Sequence, residues 1–181
     1  MSQGKGEDSL LCRLKGGDRR SIGRSNDVVA QVKRVPSRFA EVMGGMVTDN
    51  DLLVRIRAAD AAEKITVEHP EYLQPFKRLL LERAARSNLP EVRWHIAQMI
   101  PRLRLSRAER QAACAIIGGY LRDRSRIVRT CAMQALADLT ERDPQLRPRA
   151  RRTIKILIAT GSPAMKSRGR KLLVRLASKP S

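Results

Sequence analysis

At 181 residues the chain is long enough for one hydrophobic core and, by size, for no more than one domain. Hydrophobic residues make up 42% but aromatics only 3%, so the core has to be aliphatic, which favours close-packed helices over an aromatic-rich sheet. The 37 Lys and Arg against 18 Asp and Glu leave a formal charge of +19, which speaks to partners and not to fold, and the longest apolar run, AACAIIGGYL, is well short of the roughly 20 residues a membrane span needs.

Residues 1–25 carry Gly4, Gly6, Gly16, Gly17 and Gly23 among interspersed charges with no apolar period, the pattern of a flexible Gly- and Arg-rich arm. No apolar signal core with a small-residue cleavage site follows Met1, so a soluble, cytoplasmic protein is expected. Within the arm, GGDRRSIGRS is no phosphate loop: Gly17 to Gly23 is one residue too long for GxxxxGK[ST], Arg24 replaces the lysine and no strand precedes it. A short helix over about Asn26 to Val35 comes next, then one in PSRFAEVMGGMVTDN, where Phe39, Val42, Met43 and Met46 recur at 0, 3, 4 and 7.

From here the chain repeats itself. Val54-Arg55, Val92-Arg93 and Val128-Arg129 recur at spacings of 38 and 36 residues, and Met165-Lys166 follows 37 later. Counted from each Val or Met, position +4 reads Ala58, Ile96, Ala132, Gly169; +7 reads Ala61, Met99, Ala135, Leu172; +8 reads Ala62, Ile100, Leu136, Leu173; and +11 reads Ile65, Leu103, Leu139, Leu176. Those spacings draw one apolar stripe at about 100° per residue, so four helices share one design. Between them lie helices in PEYLQPFKRLLLERAARSN (Leu73, Phe76, Leu79, Leu80), in SRAERQAACAIIGGYLRD with its capping-box pattern Ser106-x-x-Glu109, and in PQLRPRARRTIKILIATGS. No stretch alternates with period two. A helical hairpin repeated every 36–38 residues, able to bury its apolar face only against its neighbours, predicts an all-α fold, a short α-solenoid.

With an aspartate, a turn and then Val-Arg opening the second helix, the chain resembles the HEAT-repeat family over roughly residues 26–177. It is also similar to small bacterial HEAT-repeat proteins, a similarity that implies no activity. Asp49 and Asp123 stand five before the Val, while Ser87 and Thr160 replace the aspartate in the other two repeats. The resemblance implies a right-handed α–α superhelix of about four helical hairpins over 26–178, leaving 179–181 as a tail, and implies that Arg55, Arg93, Arg129 and Lys166 brace neighbouring repeats.

In a HEAT-like solenoid the second helices line a concave groove, and positions +2 and +6 lie opposite the packing stripe. They bring Ile56, Trp94 and Thr130, with Asp60, Gln98 and Gln134, to the groove as candidate binding residues. Trp94 is the chain's only tryptophan, and with Gln98 one turn on it pairs an apolar anchor with an amide able to bond a peptide backbone, similar to the way armadillo-type solenoids hold extended peptides. Arg57, His95, Arg102, Arg168, Lys171 and Arg175 are expected as a basic rim. Arg147, Arg149, Arg151, Arg152 and Lys155 form a dense cationic run suited to phosphate contacts, without the aromatics that stack bases.

No catalytic or metal motif stands out. Cys12, Cys114 and Cys131 have no metal-ligand spacing and no disulfide pattern, and His95 and Cys131 share a column on repeats about 10 Å apart, too far for a nucleophilic pair. The expectation is therefore a scaffold or adaptor that is not an enzyme, needs no cofactor or metal, and binds a protein or peptide on its concave face. The alternative is a sequence-blind nucleic-acid or polyanion binder using the basic C-terminal half. The HEAT-like alkylpurine DNA glycosylases resemble the chain in architecture and charge, but they carry a carboxylate one turn after a tryptophan, where this chain has Gln98.

Overall fold

The computed structural model describes residues 9–178, so residues 1–8 of the expected arm and the 179–181 tail lie outside the described residues. Among the described residues there is no strand. The α-helices are α1 (Ser25–Arg34), α2 (Phe39–Thr48), α3 (Leu52–Glu68), α4 (Pro90–Met99), α5 (Arg107–Tyr120), α6 (Arg126–Leu139), α7 (Arg147–Thr160) and α8 (Pro163–Ala177). The chain divides into two compact units, Met1–Arg104 and Leu105–Ser181.

In the first unit α3 is the central helix, packed against α2, α1 and α4. Its stripe of Val54, Ala58, Ala61, Ala62 and Ile65 is fully buried, and so are Val92, Ile96, Met99, Ile100 and Leu103 in and just after α4. The stretch expected as a regular helix between them is broken instead: a 3-10 segment Pro70–Phe76, a π turn Leu79–Arg83 and a 3-10 turn Ala84–Arg86. Pro75 lies inside it, has no N–H to donate and crowds the preceding turn, so the α ladder cannot run through. Leu73 and Leu80 still reach the core, while Phe76 meets Phe39 edge-on at 5.6 Å.

The second unit stacks two hairpins, α5 with α6 and α7 with α8, and α6 also lies against α8. Val128, Ala132, Ala135, Leu136 and Leu139 are buried, as are Met165, Gly169, Leu172 and Leu176. Leu173 is the one member of the fourth stripe that stays half-buried.

A second column, three residues before each Val or Met, starts these helices. The side chains of Asp51, Ser125 and Ser162 accept hydrogen bonds from the N–H of Leu53, Val128 and Met165, and Ser106 and Glu109 form the expected reciprocal box. The aspartate column acts just upstream: Asp49 Oδ1 accepts from the N–H of Asp51 at 2.8 Å, Asp123 Oδ1 from Ser125 at 2.7 Å, and Ser87 Oγ from Leu89 at 3.2 Å. Each of these residues folds the turn that presents the cap. Arg55 reaches from one turn toward the next, its Nη2 donating to Ser87 Oγ at 3.4 Å, as the repeat resemblance implies.

Two helical glycines set opposite constraints. A Cβ on Gly169 of α8 would lie 2.5 Å from Ile158 Cγ1 of α7, so the helices approach closely there because this residue has no side chain. A Cβ on Gly118 of α5 would meet nothing within 4 Å. Gly118→Ala is expected to raise stability by up to about 1 kcal/mol through helix propensity, and Gly169→Ala to lower it by about 1 kcal/mol because overpacking outweighs the same gain. Urea unfolding of both variants checks the opposite signs.

Candidate functional site

The site begins with Arg57, on the side of α3 turned to the N-terminal segment. The side chain is only 2% exposed, yet no carboxylate pairs with it among the described residues. Its guanidinium is held by four backbone carbonyls: Nη1 donates to Leu14 O at 2.7 Å and Gly16 O at 2.5 Å, Nη2 to Asp18 O at 2.9 Å, and Nε to Ser21 O at 3.2 Å. A planar fork with five N–H groups suits such a cradle, and a lysine does not. To wrap around it the chain takes positive φ at Gly16, Gly17 and Gly23, at 70°, 79° and 53°. A Cβ on Gly23 would sit 2.8 Å from the guanidinium carbon.

The N-terminal segment is pinned at its other end as well. Leu10 and Leu14, in a 3-10 turn Leu10–Leu14, are fully buried, and Glu41 of α2 accepts from Ser9 Oγ at 2.5 Å and the Leu10 N–H at 2.7 Å. Burial disfavours the Glu41 carboxylate, but these hydrogen bonds and Arg38 outweigh it and hold its pKa below the ordinary value. Two expectations are corrected here. Residues 9–25 are a folded part of the first unit, not a flexible arm, because Arg57 and two leucines supply the anchorage that glycine content hides. Arg57 is a buried anchor, not a rim cation.

The folded segment makes one wall of a cleft of about 470 Å³. Arg19, Arg20, Ser21 and Ile22 line it from the segment, Ile56, Arg57 and Asp60 from α3, and Glu91, Trp94 and His95 from α4. Trp94 is half-buried and leans on His95, ring centroids 5.6 Å apart. Arg19 closes on Glu91 with two hydrogen bonds of 3.0 Å. Burial works against ionisation of the Glu91 carboxyl, yet those bonds and the charges of Arg19 and Arg93 keep its pKa below the ordinary value.

Other expected groove and rim residues fall differently. Ile56 is 7% exposed, and Asp60 is held by Ser25 Oγ and by Lys64 Nζ at 2.7 Å, so α1 and the folded segment cover what was expected as open groove. Gln98 Nε2 donates to the Trp94 carbonyl at 3.3 Å, so one of its donors is used within α4. His95 is 9% exposed and its Nδ1 has no hydrogen-bond partner, which removes it from the rim. Arg102 Nη1 donates to Glu63 O at 2.8 Å and Thr66 Oγ1 at 2.9 Å, and Nη2 pairs with the Glu63 carboxylate, a brace to α3 and not a free cation.

In the second unit the same columns join into one polar network. Gln134 donates to Asp138 at 2.8 Å and accepts from Arg168 at 2.9 Å, and Arg175 donates to Asp138 at 2.6 Å. Thr130 bonds back to the Arg126 carbonyl, while Lys171 stays exposed. The cationic run on α7 splits by face. Arg147, Arg151, Arg152 and Lys155 line an open cleft of about 540 Å³ with Pro144, Gln145 and Pro148, whereas Arg149 borders a separate apolar pocket.

Among the described residues no His, Cys, Asp and Glu groups come together as a metal site, and no helix is long and apolar enough to cross a membrane.

The fold has a counterpart among solved structures. The complex of CpcE and CpcF of phycocyanin lyase from Nostoc sp. PCC7120 contains a chain that matches with a TM-score of 0.58 over 82% of this chain and 85% of that one, at 19% sequence identity. No protein-family model and no curated sequence matches the chain. At that identity the likeness shows the fold, an all-α HEAT-like solenoid. It also overturns the expectation that the chain is not an enzyme: a chain of this fold belongs to a lyase, so a missing catalytic motif gives no ground for excluding catalysis.

Two outcomes follow from the buried groups. Arg57→Met leaves four carbonyls without their donor and is expected to cost about 2–4 kcal/mol, with tryptic cleavage after Arg19, Arg20 and Arg24 becoming fast while the α3 and α4 cores stay protected. Limited proteolysis followed by mass spectrometry reads this. For His95, burial pushes the imidazole pKa below 6.5, Asp60 and Glu63 pull it back up, and Lys64 and Arg102 push it further down. The unfolded chain therefore binds a proton that the folded one refuses. Stability is full above about pH 6.5 and falls as the pH drops through the window beneath it, by at most about 1.4 kcal/mol per pH unit. His95→Gln should flatten that component in unfolding measurements between pH 5 and 7.5.

Proposed function

We propose that the chain is a helical-repeat adaptor that binds a protein partner through the Trp94 cleft of the first unit. The observation that carries this reading is the cleft itself: its volume falls within the range of ligand sites, and it exposes part of the chain's only tryptophan beside Ile22, which is 46% exposed. A half-buried tryptophan in a preformed cleft has the character of an interface hot spot. Asp60 and Glu91 are already paired, with Lys64 and Arg19, so the cleft offers a partner an apolar floor and the unpaired cation of Arg20. The likeness to a chain solved in a two-protein complex supports a protein partner.

A second reading rests on α7. Arg151, Arg152 and Lys155 face an open cleft and make no ion pair among the described residues, an arrangement suited to a phosphate backbone.

Affinity purification of wild type and Trp94→Ala from the native host, with and without nuclease, separates the two. The adaptor reading expects nuclease-resistant partners that the Trp94→Ala protein loses by at least about tenfold while its circular dichroism is unchanged. Unchanged capture by a folded Trp94→Ala protein contradicts the site. If partners vanish on nuclease treatment, and binding to DNA or RNA falls steeply between low and moderate salt, the α7 reading takes its place.

A further inference from the structure

The second unit holds a pocket that neither reading uses. Its floor is Leu136 of α6, its walls come from α5 and α7, and its volume is about 220 Å³. The gap exists because Gly118 brings no side chain to it: a Cβ there would point into open space, with nothing within 4 Å. Most of the lining is apolar, with Thr153 as a neutral polar member, and it includes the Cys114 thiol, whose pKa burial pushes up against the pull of Arg149 and Arg110, so it is neutral near neutral pH. Ile156 stands at the opening, 62% exposed, a large apolar side chain without cover. Arg122 and Arg149, both exposed and with no side-chain partner among the described residues, flank the entrance.

We infer that this pocket takes a single large apolar side chain from an acidic protein segment, whose carboxylates meet Arg122 and Arg149. Size and charge select that occupant. The volume lies below the roughly 300 Å³ at which small-molecule sites begin, yet it accommodates one phenylalanine or leucine side chain. The residues Leu105–Ser181 carry 18 Lys and Arg against 5 Asp and Glu, a formal +13, so an acidic segment is attracted and a basic one or a second copy of this unit is repelled. The inference stands on residues of the second unit and does not depend on the Trp94 cleft.

The test uses the full chain and a fluorescein-labelled synthetic peptide with one phenylalanine among glutamates, beside the same peptide with alanine in its place. Fluorescence anisotropy should show the phenylalanine peptide binding about tenfold or more tightly, the difference expected for burying that side chain. Gly118→Leu fills the pocket without straining the helix and should abolish the difference while leaving the weak charge-driven binding. Arg149→Glu should weaken both peptides several-fold. Equal binding of the two peptides, or a preference that survives Gly118→Leu in a protein with unchanged circular dichroism, overturns the inference. Binding of laurate, or self-association seen in sedimentation, that is lost in Gly118→Leu without any peptide preference also overturns it and names a different occupant.

Discussion

One buried cation organises the first unit. Arg57 is buried and has no carboxylate paired with it among the described residues, and its charge is met by carbonyls of a single segment of chain wrapped around it. A guanidinium in that position cannot tolerate removal of its acceptors, and the acceptors cannot remain in place without it, so segment and helix are fixed together. Everything on that face of α3 follows from the clamp: the covering of Ile56, the capture of Asp60 by Ser25, and a wall that turns Trp94 from a residue on an open surface into the side of a cleft.

The repeat plan was legible in sequence where it rested on periodicity. Apolar residues at 0, 4, 7, 8 and 11 must share a helix face whatever their neighbours, and the four stripes are buried but for Leu173. The caps were less visible because the position three before each Val or Met changes residue type: Asp51, Ser125 and Ser162 cap with their side chains, while Leu89 does not. The irregular 70–86 stretch could have been anticipated from Pro75.

The site was legible only in part. Angular position puts Trp94 off the packing stripe, and Trp94 is half-buried in the structure, but each helix is then treated as though nothing lay beyond its own repeat, and so Arg57, His95 and Arg102 were expected at a rim when they are held inside the first unit. The missing signal lay in the first residues. Glycines dominate the composition there, yet Leu10 and Leu14 sit one helical turn apart and the glycines fall where the chain must bend around a side chain from α3. Composition alone cannot distinguish glycine that frees a chain from glycine that lets it turn tightly.

The structural likeness at 19% identity places the fold among helical repeats that also serve an enzyme complex, so the scaffold and the chemistry that such a fold carries have to be argued from sites. The Trp94 cleft in particular depends on whether the segment ahead of α1 is rigid. The measurement that bears on this most directly is the backbone 15N order parameter across residues 15–24 of the wild-type protein. The Arg57 clamp predicts values near the about 0.85 of a rigid backbone, comparable with α3; values below about 0.6 would mean a loose arm and would contradict the account.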